Sequence, residues 1–287
     1  LSDSKSTSGK STSDLKLRTT TGIVFGVVVL GSIVAGYIPF YILITLVHLV
    51  ALNEFYTVQR QNSKAKPLRI FHIFIGLAIQ IFMTAKSTGW LGNNTNYYFD
   101  FLLPLLFIPF IVELFTKDTD HKSFESLGIG FLGNLYISVS FSCLILMSGT
   151  PQDYLLAITL GSILLIWSND TFAYLLGRKI GKTPLFRSVS PNKTREGSIG
   201  GALCTLLISL IFWHYSEKGN VVFWMGFAVV QIITGALGDL IQSKWKRDLS
   251  IKDSGKLLPG HGGILDRFDA LMFSAPFAYI YVRLFGG

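Results

Sequence analysis

Apolar residues run along this chain in long unbroken blocks, without the alternation of a half-buried strand or the single stripe of a surface helix. Two stretches, Gly22 to Asn53 and Ser126 to Gln152, contain no Asp, Glu, Lys or Arg. Runs beyond about 18 such residues can cross about 30 Å of hydrocarbon as a helix. Segments of this kind lie at 22–38, 40–57, 70–85, 97–116, 126–148, 153–176, 198–215, 221–242 and 268–285. The pattern predicts an all-α, polytopic integral membrane protein of about nine transmembrane helices. Only Gly36 to Pro39 separates the first two, so one long tilted helix is the alternative there. Pro104 and Pro109 are expected to kink the fourth.

Composition agrees with a membrane protein: 15% of the 287 residues are charged, against about 25% in soluble domains. The net charge of +8 would point to nucleic acid in a soluble chain. Here its distribution points to orientation, and no nucleic-acid partner is expected. Alternate connections, beginning with the N-terminal segment, hold 22 of the Lys and Arg residues and the others hold 3. Positive residues stay cytoplasmic, which predicts the N-terminus inside and the C-terminus outside. Residues 1–21, rich in Ser, Thr and Lys, are expected to form a disordered polar tail. Residues 22–125 then form a first group of helices, and 126–287 a catalytic region with cytoplasmic loops. Cys143 and Cys204 sit in apolar runs without metal-ligand spacing and read as core residues.

The two connections richest in cations, Gly177 to Gly197 and Ser243 to Arg267, also concentrate Gly, Pro, Ser and Asp. Function is expected there. If the eighth helix continues past the membrane, Asp239, Ser243, Lys246 and Arg247 share one face. A carboxylate, a hydroxyl and cations together suit Mg²⁺ and phosphate. Lys252 and Asp253 follow, and then Gly260-His261-Gly262-Gly263. That glycine cluster is either a tight turn or a backbone cradle for phosphate. His261 is either a solvated side chain or a phosphate ligand and proton donor. Asp266 and Asp269 stand at i and i+3 where the last helix begins, so a capping role competes with a site role for Asp266.

The other connection follows Asn169 and Asp170, which lie within an apolar run. An ionisable residue there is costly and marks a site for a base, ribose or metal, unless it bonds to a neighbouring helix. Glu54, Asp100 and Glu113, nearer helix ends, read as interfacial.

The run from Ser243 through Lys246-Arg247, Lys252-Asp253, Pro259, His261-Gly262-Gly263 and Asp266-Arg267 to Asp269 spans 27 positions. It resembles the signature of the CDP-diacylglycerol synthase (phosphatidate cytidylyltransferase) family, most closely its bacterial members. Ser190-Pro191-Asn192-Lys193-Thr194-Arg195-Glu196-Gly197 resembles that family's second motif, with Asn192 and Arg195 departing from the common pattern.

The resemblance implies transfer of a cytidylyl group from CTP to phosphatidate, yielding CDP-diacylglycerol and pyrophosphate for phospholipid synthesis. It implies Mg²⁺ on Asp239 and Asp253 with Ser243 nearby, and allows a second cation such as K⁺. Catalytic roles fall to Asp239, Lys246, Arg247, Lys252, Asp253, His261, Asp266, Arg267 and Asp269. Substrate binding falls to Asn169, Asp170, Ser190, Lys193, Glu196, Gly262 and Gly263. Membrane lipids surround the enzyme, a homodimer is the implied assembly, and the location is the bacterial inner (plasma) membrane with the site facing the cytoplasm. A CTP-dependent kinase of polyprenol or phytol type is the nearest alternative. A transporter is the more distant one, because its charges would gather near the bilayer midplane on repeated broken helices.

Overall fold

The computed structural model describes residues 6–62, 66–85, 107–112, 114–115, 123–186, 190–260 and 262–286. In chain order the helices are α1 (Ser6–Val34), α2 (Tyr37–Asn62), α3 (Arg69–Ala85) and α4 (Ser123–Gly133), followed by a π-helical turn (Asn134–Ser138) and α5 (Val139–Met147). Helix α6 (Leu156–Ile180), strands β1 (Pro184–Phe186) and β2 (Ser190–Thr194), and helices α7 (Arg195–Tyr215), α8 (Val221–Asp248) and α9 (Leu265–Phe285) complete the order. Among the described residues, seven helical stretches are long and apolar enough to cross a membrane, with α4, the π turn and α5 making one of them and α3 falling just short. The protein is thus an all-α polytopic membrane protein with one small β ribbon. Of the fourth predicted segment, 107–112 is helical through Pro109, while Pro104 lies outside the described residues.

Two boundaries differ from expectation. Helix α1 begins at Ser6, so within the stretch read as a polar tail the described residues 6–21 continue into the first span. No Gly or Pro interrupts Lys10 to Thr21, and extending an existing helix adds one hydrogen bond for each residue fixed. The first two spans are separate helices, as drawn, broken at Gly36, whose φ of +113° only glycine adopts readily. Pro39 falls in the first turn of α2, where its missing N–H costs no helical bond. The boundary drawn between residues 125 and 126 falls inside α4.

The bundle is inverted relative to a soluble protein. On α8, Val222, Met225, Val229, Ile233, Leu237 and Ile241 are exposed, forming an apolar outer stripe, while Gln231, Thr234 and Gln242 are buried. Inside, the Thr234 hydroxyl donates to Ser274 Oγ at 2.7 Å, and the Ser274 hydroxyl in turn donates to Gln231 Oε1. Such interhelical bonds stabilise a bundle where the hydrophobic effect between helices is absent. Helices α6 and α7 cross closely because a Cβ at Gly201 would lie 2.9 Å from Ala173 Cβ.

The connections sort by charge onto opposite ends. At one end Lys193 pairs with Asp239, joining the β1–β2 ribbon to α8. At the other, Lys218 pairs with Asp153 at 3.0 Å, and the Tyr154 hydroxyl donates to the Ile33 carbonyl at the end of α1, 3.1 Å away. This geometry generates a topology prediction. With Cys143 and Cys204 replaced, an impermeant maleimide on intact cells is expected to label Glu217→Cys. Asn192→Cys and Lys256→Cys should label only after permeabilisation. The reverse pattern inverts the orientation, and labelling of all three on intact cells breaks the alternation.

Candidate active site at the charged end of the bundle

Helix α8 runs on past the apolar region to Asp248, as its charge pattern predicts, and the chain then folds back over residues 249–264 before entering α9. Ser250 takes φ +57° at the reversal. A narrow turn follows, in which the Leu258 N–H donates to the Gly262 carbonyl at 3.0 Å, with Gly260 at φ +75° and Gly262 at +82°.

Asp266 organises this loop. Its carboxylate accepts the Ser254 N–H at 2.8 Å, the Ser254 hydroxyl at 3.0 Å and the Gly263 N–H at 3.0 Å. The Lys246 ammonium reaches it from α8 at 2.8 Å, and Gln242 Nε2 completes the set at 3.4 Å. A carboxylate so surrounded is held by charge-assisted bonds, each stronger than a neutral one. These contacts make Asp266 an anchor of the loop.

Glu54, read as interfacial, proves to be buried. It accepts the N–H groups of Ile264 and Leu265, both at 3.0 Å, and so caps α9 from a helix more than 200 residues earlier. Ser254 Oγ, at 3.4 Å, links it to the Asp266 network. The orphan N–H groups at a helix start favour an anion, and hydrogen bonds to a charged group contribute about 1.5–3 kcal/mol each. Two motif glycines acquire a steric reason from this carboxylate. A Cβ on Gly255 would lie 2.4 Å from Glu54 Oε1, and one on Gly263 would lie 2.4 Å from Oε2. The available signal was a single acid near the charged end of an apolar helix; its partner was too distant in sequence to be read.

The remaining carboxylates form a second group. At Gly238 a Cβ would meet the Asp269 carbonyl at 2.7 Å, so α8 and α9 approach each other closely there. The next residue, Asp239, is thereby set within electrostatic reach of Asp269. Asp170 of α6 faces the same group and feels both Asp239 and Lys193. Lys193, delivered by β2, pairs directly with Asp239. Tyr136, on the π turn, also lies within electrostatic reach of Asp239 and Asp269.

Asp253 follows α8 on the fold-back loop. It is exposed on the loop, and a Cβ on Gly262 would lie 2.7 Å from Asp266 Oδ2 and 3.4 Å from Asp253 Oδ1. The carboxylate that α9 turns toward Asp239 is Asp269. Ser243 stands one turn beyond Asp239 on α8, half-buried. Lys252 and Arg267 are exposed around the loop, as is Arg247 on the last turn of α8. Glu196 accepts the Lys182 and Thr183 N–H groups, both at 3.1 Å, and so ties the ribbon to α7. Ser190 pairs with Phe186 in the ribbon. Asn169 is buried, and its Oδ1 has no hydrogen-bond partner. Arg18 lies against the turn, where a Cβ on Gly260 would come within 2.6 Å of its Cγ; the reading of residues 1–21 as a free tail concealed this contact. His261, Asp100 and Glu113 lie outside the described residues.

The site thus holds anionic groups on α6, α8 and α9, with cations on the ribbon, on α8 and around the loop. Such an arrangement receives phosphates together with a hard cation. Among the described residues, no three His, Cys, Asp or Glu side chains converge to hold a metal by themselves. Mg²⁺ is usually bound through one or two carboxylates completed by water and substrate phosphate oxygens. Asp239 and Asp269 supply the matching hard oxygen donors.

Comparison with known proteins places these residues in a wider set. A sequence model described as the cytidylyltransferase family matches residues 16–285. The phosphatidate cytidylyltransferase of Staphylococcus haemolyticus (strain JCSC1435) is 33% identical over 266 residues, which cover 91% of this chain and 96% of that protein. The phosphatidate cytidylyltransferase of Bacillus subtilis (strain 168) is 32% identical over 275 residues, covering 95% of this chain and 99% of that protein.

The glycine constraint gives a test of the loop. Gly263→Ala is expected to lower turnover at least ~10-fold, because its Cβ meets both Glu54 and Ser254 Oγ. Combining it with Glu54→Asp, which shortens the clashing side chain, should recover part of that loss. A double-mutant cycle in the folded proteins checks this; strictly additive losses would remove the proposed contact.

Proposed function

The chain belongs to the cytidylyltransferase family, and on that premise we propose that it transfers the cytidylyl group of CTP to phosphatidate, forming CDP-diacylglycerol and pyrophosphate. The observation that carries this reading is that Asp170, Asp239 and Asp269 lie within electrostatic reach of one another, with Lys193 paired to Asp239, at the end of the bundle that holds the basic loop. Charged groups for a soluble nucleotide there adjoin apolar helices that keep acyl chains in hydrocarbon.

The chemistry needs no protein nucleophile. An oxygen of the phosphatidate phosphate attacks the α-phosphorus of CTP; a P–O bond forms there and the bond to pyrophosphate breaks. Positioning and neutralisation of phosphate charge supply most of the acceleration in such transfers. Lys193 offers its ammonium beside Asp239, while Lys252, Arg247 and Arg267 surround the entrance to the loop and meet the outer phosphates. Lys246, already committed to Asp266, holds the loop in register instead. Asn169 and Asp170 of α6 face the nucleotide, with the unpartnered Asn169 Oδ1 available to an amino or hydroxyl donor.

Asp239 and Asp269 would hold Mg²⁺, with Ser243 one turn away. When bound, the ion neutralises phosphate charge and polarises the α-phosphate. This assignment replaces Asp253 by Asp269 for the geometric reason given by the α8–α9 approach. The 22-to-3 charge distribution supports placing the site on the cytoplasmic side, where CTP is found.

Two experiments test the proposal. Purified protein given phosphatidate and CTP labelled separately at the α and γ positions should place only α label in lipid and release pyrophosphate. Lipid carrying γ label instead would make it a kinase, and movement of unreacted substrate across sealed vesicles would make it a transporter. Asp239→Asn and Asp269→Asn should remain folded and lose turnover by on the order of 100-fold or more, as should the wild type after removal of divalent cations. Near wild-type rates for both variants at limiting Mg²⁺ would exclude the ligand assignment.

A further inference from the structure

The Tyr136 hydroxyl is buried and has no hydrogen-bond partner. It nevertheless lies within electrostatic reach of Asp239 and Asp269. Buried hydroxyls are almost always paired, and one that is not calls for a specific explanation.

Its placement is fixed by the elements around it. Tyr136 is the central residue of the π turn Asn134–Ser138, and such turns, uncommon within α-helices, recur at functional sites. The turn is pinned two residues to either side. Asn134 Oδ1 accepts the Tyr56 hydroxyl at 3.2 Å. Ser138 Oγ meets His48 Nε2 at 2.9 Å, and His48 Nδ1 meets Gln80 Oε1 at 2.6 Å. Residues two apart on a helix point in nearly opposite directions. Bonds that draw Asn134 and Ser138 toward α2 and α3 therefore send Tyr136 the other way, and the turn also packs against α9. The polar network of the first helices thus leaves this phenol near the carboxylates while giving it nothing to bond.

We infer that Tyr136 is a further substrate-contacting residue, whose hydroxyl donates a hydrogen bond to a phosphate oxygen of the bound substrates. The inference rests on the cytidylyl-transfer reading, which brings phosphates to Asp239 and Asp269. A phenol there supplies a neutral donor in addition to the Lys193 ammonium. A fixed donor aimed at an oxygen on which charge develops stabilises the transition state without reorganisation.

The test is Tyr136→Phe, which keeps the ring and removes only the hydroxyl. Wild type and variant are compared in detergent with Mg²⁺, α-labelled CTP and phosphatidate, together with thermal unfolding of each. The expected result is a fall in kcat/KM of at least ~10-fold with an unchanged unfolding midpoint. A raised KM for CTP alone assigns the bond to the nucleotide, and one for phosphatidate alone assigns it to the lipid. A lowered kcat assigns it to the phosphate undergoing transfer. Values of kcat and both KM within two-fold of wild type overturn the inference, as does a loss explained entirely by a smaller folded fraction. If the wild type itself places no α label in lipid, the cytidylyl-transfer reading fails. An active wild type matched by its variant strikes only the role of Tyr136.

Discussion

The Asp266 carboxylate gathers the Ser254 and Gly263 N–H groups, the Ser254 hydroxyl and the Lys246 ammonium around one point, and most of the charged end is arranged from that point. A loop rich in glycine and charge has little apolar surface to bury, so it needs a polar anchor to overcome its conformational entropy. Asp266 supplies one from the first turn of α9, and Glu54 supplies a second from α2 through the Ile264 and Leu265 N–H groups. With the start of α9 fixed, Asp269 one turn later is fixed as well. The close approach at Gly238 then sets Asp239 opposite it. The groups available for chemistry thus owe their position to carboxylates occupied elsewhere.

This division of labour explains which parts of the site were legible in the sequence. The helices were, because a bilayer demands long uncharged segments whatever their neighbours do. The motif residues were also legible as a set: acids and cations at helical spacing on α8, continuing into a glycine loop, have few alternatives. Pairing was harder. Asp239 and Asp253 share one motif, yet the geometry of α9 turns Asp269 toward Asp239 and leaves Asp253 on the exposed loop. Local spacing does not encode where a helix crosses its neighbour; the only trace was the glycine immediately before Asp239.

Residues in the first half of the chain were less visible still. Glu54, Tyr136 and Arg18 lie outside both motifs, and each acts on the site across a tertiary contact. The π turn around Tyr136 has no compositional mark, and the bonds that Tyr56 and His48 make to its Asn134 and Ser138 come from distant positions in the chain. Likewise the extension of α1 back to Ser6 follows from continuing an established helix, although its residues have little to bury.

The cap that Glu54 places on α9 also bears on how the protein is made. Synthesis delivers α2 long before α9, and the bond from Glu54 to the Ile264 N–H spans 210 residues. At the usual ribosomal pace that interval is roughly 10–40 s. Throughout it the emerging bundle carries a carboxylate whose two backbone donors do not yet exist. The same delay applies to Gly255 and Gly263, which form the wall around that carboxylate only once their own segment has been made. Biogenesis therefore has a built-in order: the charged end becomes competent only after α9 has been made, when an early acid meets its late amides.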